Sequence, residues 1–207
     1  MTKKVSPKTS RGVRRGERIM NCSRDRCGRR YNAFTLIELI VVVSIIAVLA
    51  ALVLSTAGYA RKKGARARAE TEISAMSAAC ENYKADNGVY PANSDTNALN
   101  AQTSVDPSAY QAASLYLYNA LFGATAGSRT PNTGARSYFV FKPNMLFPAD
   151  QTQTVQYIQD PFGNSYGYST IQAATQDTTK GYNPTFDLWS TASGTTIGDA
   201  PKWIKNW

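Results

Sequence analysis

The chain is 207 residues long with 43% hydrophobic content, enough for one ordinary domain plus appendages, and its formal net charge is +9. That charge belongs to residues 1–33, where eleven Lys and Arg face only Glu17 and Asp25; the other 174 residues balance twelve basic against twelve acidic side chains, so no nucleic-acid binding is expected of the body. There is no histidine, which removes the usual general base and the commonest metal ligand, and no nucleophile–base pair stands out, so no enzyme is expected.

Residues 1–33 read as a cytoplasmic basic leader. A start at Met20 would still leave Arg24, Arg26, Arg29 and Arg30 in place. Cys22 and Cys27 lie in this leader with four residues between them and no partner pair downstream, a weak zinc pattern. The remaining cysteine, Cys80, reads as a small apolar core residue, with a thiol that pairs between subunits as the alternative.

From Phe34 to Ala57 the sequence is apolar apart from Thr35, Glu38, Ser44, Ser55 and Thr56. Twenty-odd residues at about 1.5 Å each cross a hydrocarbon layer of roughly 30 Å, so the run is a transmembrane helix candidate. The dense basic flank before it keeps residues 1–33 cytoplasmic and exports the rest; a second basic group, "RKKGARAR", follows at Arg61 to Arg68. No clear small-residue cleavage site follows the run; the alternative is a cut before it, which would leave the run attached as an anchor. Glu38 is then the anomaly, because a lone carboxylate in a transmembrane helix costs on the order of 2.5 to 3.5 kcal/mol and normally has a partner. A glutamate near the helix end that snorkels to the interface is the plain alternative.

The stretch "AFTLIELIVV", Ala33 to Val42, resembles the N-terminal motif of type IV prepilins and type II secretion pseudopilins. The resemblance implies that a prepilin peptidase cuts the Ala33–Phe34 bond on the cytoplasmic side and that Phe34 becomes an N-methylated terminus. It implies that Glu38, fifth in the processed chain, meets the Phe34 amine of a neighbouring subunit and sets the register of assembly. The implied partners are the peptidase, other copies of the chain, other pseudopilins and an inner-membrane assembly platform. Two departures are visible: the residue before the cut is usually Gly and here is Ala33, and the leader is long.

Beyond the run, residues 58–91 continue as an amphipathic helix. Ile73, Met76, Cys80 and Tyr83 recur at steps of three and four with charges between them, a stripe that should cover a sheet, and Asn87-Gly88 stops the helix. "YKADNGVYP" is similar to the end of the long helix in major pseudopilins. Residues 92–106 read as an exposed loop, and a second amphipathic helix is predicted over 108–123 with Tyr110, Ser114, Leu117 and Leu121 on one face and Gly123 ending it. Strands are predicted in "RSYFVFKP", "TVQYIQ", "SYGYST" and "TFDLWS", with "DPFGN" a turn between the middle pair.

One long helix followed by an antiparallel sheet indicates α+β, and with the resemblance a pilin-like fold: a transmembrane-plus-amphipathic helix packed on a small antiparallel sheet. The expected organisation is a removed leader at 1–33, an assembly helix at 34–57, its continuation at 58–91 and a periplasmic globular domain at 92–207. "QDPFGNSYGY" and "FDLWS…NW" are similar to text of the major pseudopilin, in which the loop after the latter holds calcium. Here that loop carries one carboxylate, Asp199, with Ser193 where an Asp is common, so calcium would bind poorly and packing by Trp189, Trp203 and Trp207 would hold the loop instead. The functional expectation is a structural subunit of a type II secretion-like pseudopilus, single-pass in a bacterial inner membrane, without catalysis or cofactor. A surface type IV pilin and a membrane-anchored binding module that never assembles are the alternatives.

Overall fold

The structure is a computed structural model and describes residues 34–194 and 196–207. The leader, with Met20, Cys22, Cys27 and Ala33, lies outside the described residues. The chain divides into two compact units, residues 1–47 and 48–207. The first is described from Phe34 onward and consists of the apolar start of helix α1, Leu36–Asn87, with every side chain exposed.

In the second unit, the Ala-rich text from residue 65 onward favours helix. Ala69, Ile73, Met76 and Cys80, spaced by three and four, are all buried. Gly88 ends the helix at φ 77°, a left-handed conformation that glycine adopts without steric cost, and its N–H donates to the Lys84 carbonyl at 2.7 Å. The predicted second helix forms as a single 3-10 turn, Pro107–Tyr110, running into α3, Gln111–Phe122, with Gly123 left-handed after it. Tyr110, Ser114, Leu117 and Leu121 are all buried, as the spacing required.

Five short strands follow: β1 Leu146–Phe147, β2 Tyr157–Ile158, β3 Gly167–Ser169, β4 Asp187–Ser190 and β5 Ile204–Lys205. They form two antiparallel sheets, β1-β2 and β3-β4-β5. The α1 stripe, Leu117 and Leu121 of α3, and Ile158, Tyr166, Tyr168 and Leu188 share one core. Truncating a fully buried aliphatic here, such as Leu117→Ala, falls in the range of about 2–5 kcal/mol. Opposite Trp189 in the register stands Gly167, where a Cβ would lie 2.2 Å from Trp189 Cε2, so the indole occupies the space a side chain would take.

The turn between the sheets is built by one aspartate. Asp160 Oδ1 accepts from Phe162 N at 2.9 Å and Asn164 N at 2.8 Å, and Gly163 takes φ 93°.

Two expectations are corrected. Residues 136–143 form no strand: the N–H groups of Tyr138 and Phe139 both donate to one acceptor, the Leu121 carbonyl, at 2.7 and 3.1 Å, so no ladder can start. Nor are residues 92–106 an exposed loop. They contain α2, Ser94–Ala98, closed by a reciprocal Asn93–Thr96 capping box, and Thr96, Leu99 and Ala101 are buried. A further five-residue helix, α4 Ile171–Thr175, was not anticipated either.

Candidate functional site

The start of α1 is the segment whose chemistry needs explaining. From Phe34 to Leu54 every side chain is exposed, the large apolar ones from 48% at Val42 to 76% at Phe34, and the helix is long and apolar enough to cross a membrane. Water would not tolerate such a surface uncovered, so lipid or other helices must meet it.

Thr35 precedes the helix and its hydroxyl accepts from Glu38 N at 3.3 Å, while its carbonyl accepts from Leu39 N at 3.2 Å. "TLIE" therefore also reads as a helix start, Thr at the cap and Glu three residues later. That signal is legible in the sequence itself. In this position the Glu38 carboxylate lies in the first turn, where the positive end of the helix dipole favours it. Phe34 lies just before the cap, two residues ahead of the first helical residue, Leu36. Phe34 and Glu38 are thus brought to one end of α1, both exposed, while Ala33 lies outside the described residues.

A model of the prokaryotic N-terminal methylation motif matches residues 28–54. This is the prepilin-type cleavage motif of type IV pilin-like proteins. No curated protein and no solved structure matches the chain. The motif supports a type IV pilin-like substrate of prepilin peptidase and implies assembly with other pilin-like subunits. Among the described residues one helix, the N-terminal one, is long and apolar enough to cross a membrane, which fits an inner-membrane single-pass anchor for such a protein.

The other residues singled out from sequence are structural. Cys80 is fully buried, and burial pushes its thiol up to about 12, so it is inert packing. Asp187, at the start of β4, is structural as well: it accepts from Tyr182 N and Asn183 N at 2.9 and 2.8 Å, and burial raises its carboxyl. Glu72 was missed: it is buried on α1, accepting from Arg68 Nε at 2.6 Å and from the Tyr166 hydroxyl at 2.7 Å. Nothing in "ETEIS" separates it from its exposed neighbour Glu70.

The loop after β4 does not fit calcium. Its carboxylate, Asp199, accepts from Lys202 Nζ at 3.0 Å and Thr196 Oγ1 at 2.9 Å, and Lys202, then Thr196, hold the carboxyl below its ordinary value. The Lys202 carbonyl accepts from Arg66 Nη1 at 2.7 Å. Among the described residues no group of three or more Cys, Asp or Glu comes together, whereas calcium takes six to eight oxygens, several of them charged. Trp189 and Trp203 are buried and stack at 6.3 Å, and Trp207 packs edge-on at 6.1 Å from Trp189.

Proposed function

We propose that the chain is a pseudopilin-type structural subunit, cut between Ala33 and Phe34, methylated on the Phe34 amine and polymerised through residues 34–57 to support type II-like protein secretion. The observation that carries this is the coincidence of the methylation motif with a fully exposed apolar helix whose first turn holds its one carboxylate, Glu38. Before cleavage that carboxylate has no cation within the apolar run. Cleavage creates an ammonium at Phe34, and pairing it with Glu38 of the next subunit offsets the cost of carrying a charge among apolar side chains. The partners on this reading are the peptidase, further copies, other pseudopilins and an inner-membrane assembly platform. The orientation, leader inside and domain in the periplasm, follows from the eleven Lys and Arg before the run.

A pseudopilus is favoured over a surface pilus by "YKADNGVYP", "DPFGN" and "FDLWS", and by a C-terminal region without a cysteine pair. Long surface fibres containing this chain would overturn that preference. The class itself is tested by the mass of the mature N-terminal peptide, expected to begin at methylated Phe34. Glu38→Ala is expected to keep membrane insertion and lose assembly; an uncut chain, or filaments unaffected by the change, refutes the proposal.

A further inference from the structure

Between Glu38 and Glu70 the chain has no carboxylate and five cations, Arg61, Lys62, Lys63, Arg66 and Arg68. Tyr59, Lys62, Lys63 and Arg66 stand at i, i+3, i+4 and i+7, so α1 gathers them on one face. The face is concave. With Phe162 of the inter-sheet turn and Ala192 and Ser193 after β4, these four residues line a notch of about 340 Å³. Tyr59 is 66% exposed and Lys63 Nζ stands 5.5 Å from its ring centroid. Arg66 is engaged by Glu70 at 3.3 Å, but Lys62 and Lys63 pair with no carboxylate among the described residues.

Height along the helix decides what such a notch meets. Leu54 is the last large apolar residue of the run; Tyr59 is about 7.5 Å beyond it and the two lysines about 12 to 14 Å. Headgroups occupy roughly 5 to 8 Å outside the hydrocarbon layer. Tyr59 falls in the zone where amphipathic rings settle, and lysine stems are long enough to bring their ammoniums back to the phosphate level. A zwitterionic headgroup would bring its own cation against these; an anionic one would not.

Resting on the reading of residues 34–57 as a membrane anchor, we propose that the notch of Tyr59, Lys62, Lys63 and Arg66 binds the phosphate headgroup of an anionic phospholipid. The two ammoniums donate to phosphate oxygens, the Arg66 guanidinium, held by Glu70 and the Lys202 carbonyl, adds positive charge beside them, and Phe162 provides an apolar wall beside the glycerol. Headgroup capture holds the subunit at the membrane surface before assembly, and leaving the bilayer releases it.

The test uses the full chain in a neutral detergent, with bound lipid read by native mass spectrometry in the presence of phosphatidylglycerol or phosphatidylcholine. At about fivefold per cation near a membrane surface, the wild type is expected to prefer phosphatidylglycerol by roughly tenfold or more. Lys62→Gln with Lys63→Gln is expected to bring the preference to within about twofold, and Lys62→Arg with Lys63→Arg to keep it. Equal binding of both lipids by the wild type overturns the proposal, as does a glutamine variant that keeps the preference but blocks assembly, which makes these lysines subunit contacts. Complete displacement of the lipid by millimolar inorganic phosphate assigns the notch to a free anion and equally overturns it. Carbonate extraction separates the two readings: a wild type washed off the membrane removes the anchor and the lipid site together, whereas retention without lipid preference removes the lipid site alone.

Discussion

Asp160 shows how one residue can be both a turn device and a titrating liability. Its carboxylate is 3% exposed, organises the turn through two backbone N–H groups and also accepts from the Ser190 hydroxyl of β4. Burial raises its pKa, with Ser190, Asn164 and Phe162 pulling the other way and Glu72 adding a smaller rise. The unfolded chain gives up this proton first, near the ordinary aspartate value of about 4. Between there and the raised native value the folded state holds more protons, so this group makes stability fall as pH rises. Asp160→Asn removes the titration while keeping an oxygen for the turn. In melts from pH 4 upward, the wild type's stability relative to the variant is expected to shrink with rising pH; a difference that stays constant or widens would show that Asp160 does not titrate in this way.

At the scale of elements, the loop from Thr191 to Trp203 closes on its own cation, Lys202, with Arg66 of α1 holding a carbonyl from outside. Melting of the full chain in detergent is expected to be unchanged by EDTA or millimolar calcium, while Lys202→Met lowers the transition temperature. A rise with calcium would show that the loop recruits a metal despite its single carboxylate. The same scale shows what sequence could and could not reveal. Periodicity located α1 and α3 because each runs three turns or more, and the turn chemistry of Asp160 and Gly163 separated β2 from β3 correctly. Helices α2 and α4 span five residues, too short for any period to register. Residues 136–143 were misread because "YFVF" has the composition of a strand, and composition is silent about whether a partner edge exists. What made the assembly segment legible was its local text; what hid Glu72 is that its other partner, Tyr166, lies 94 residues away.

For the whole molecule, charge is partitioned rather than distributed. Eleven basic residues precede the proposed cut and the remainder is balanced, so processing is expected to move the isoelectric point from about 9.5 to near neutrality. Isoelectric focusing of precursor and mature forms checks this, and a mature form that stays strongly basic would place the cut elsewhere. A near-neutral subunit has little long-range repulsion from its own copies, which suits polymerisation. The packing after β4 has an optical consequence. All three tryptophans of the chain, Trp189, Trp203 and Trp207, stand in one cluster, within 6.3 Å ring to ring along each contact. Intrinsic fluorescence of this protein therefore watches a single place, the seam where β4 meets the last loop, and is blind by construction to events along residues 34–57. Emission that shifts during filament growth would mean the globular fold itself is being rearranged; emission that stays constant would mean subunits join as finished parts.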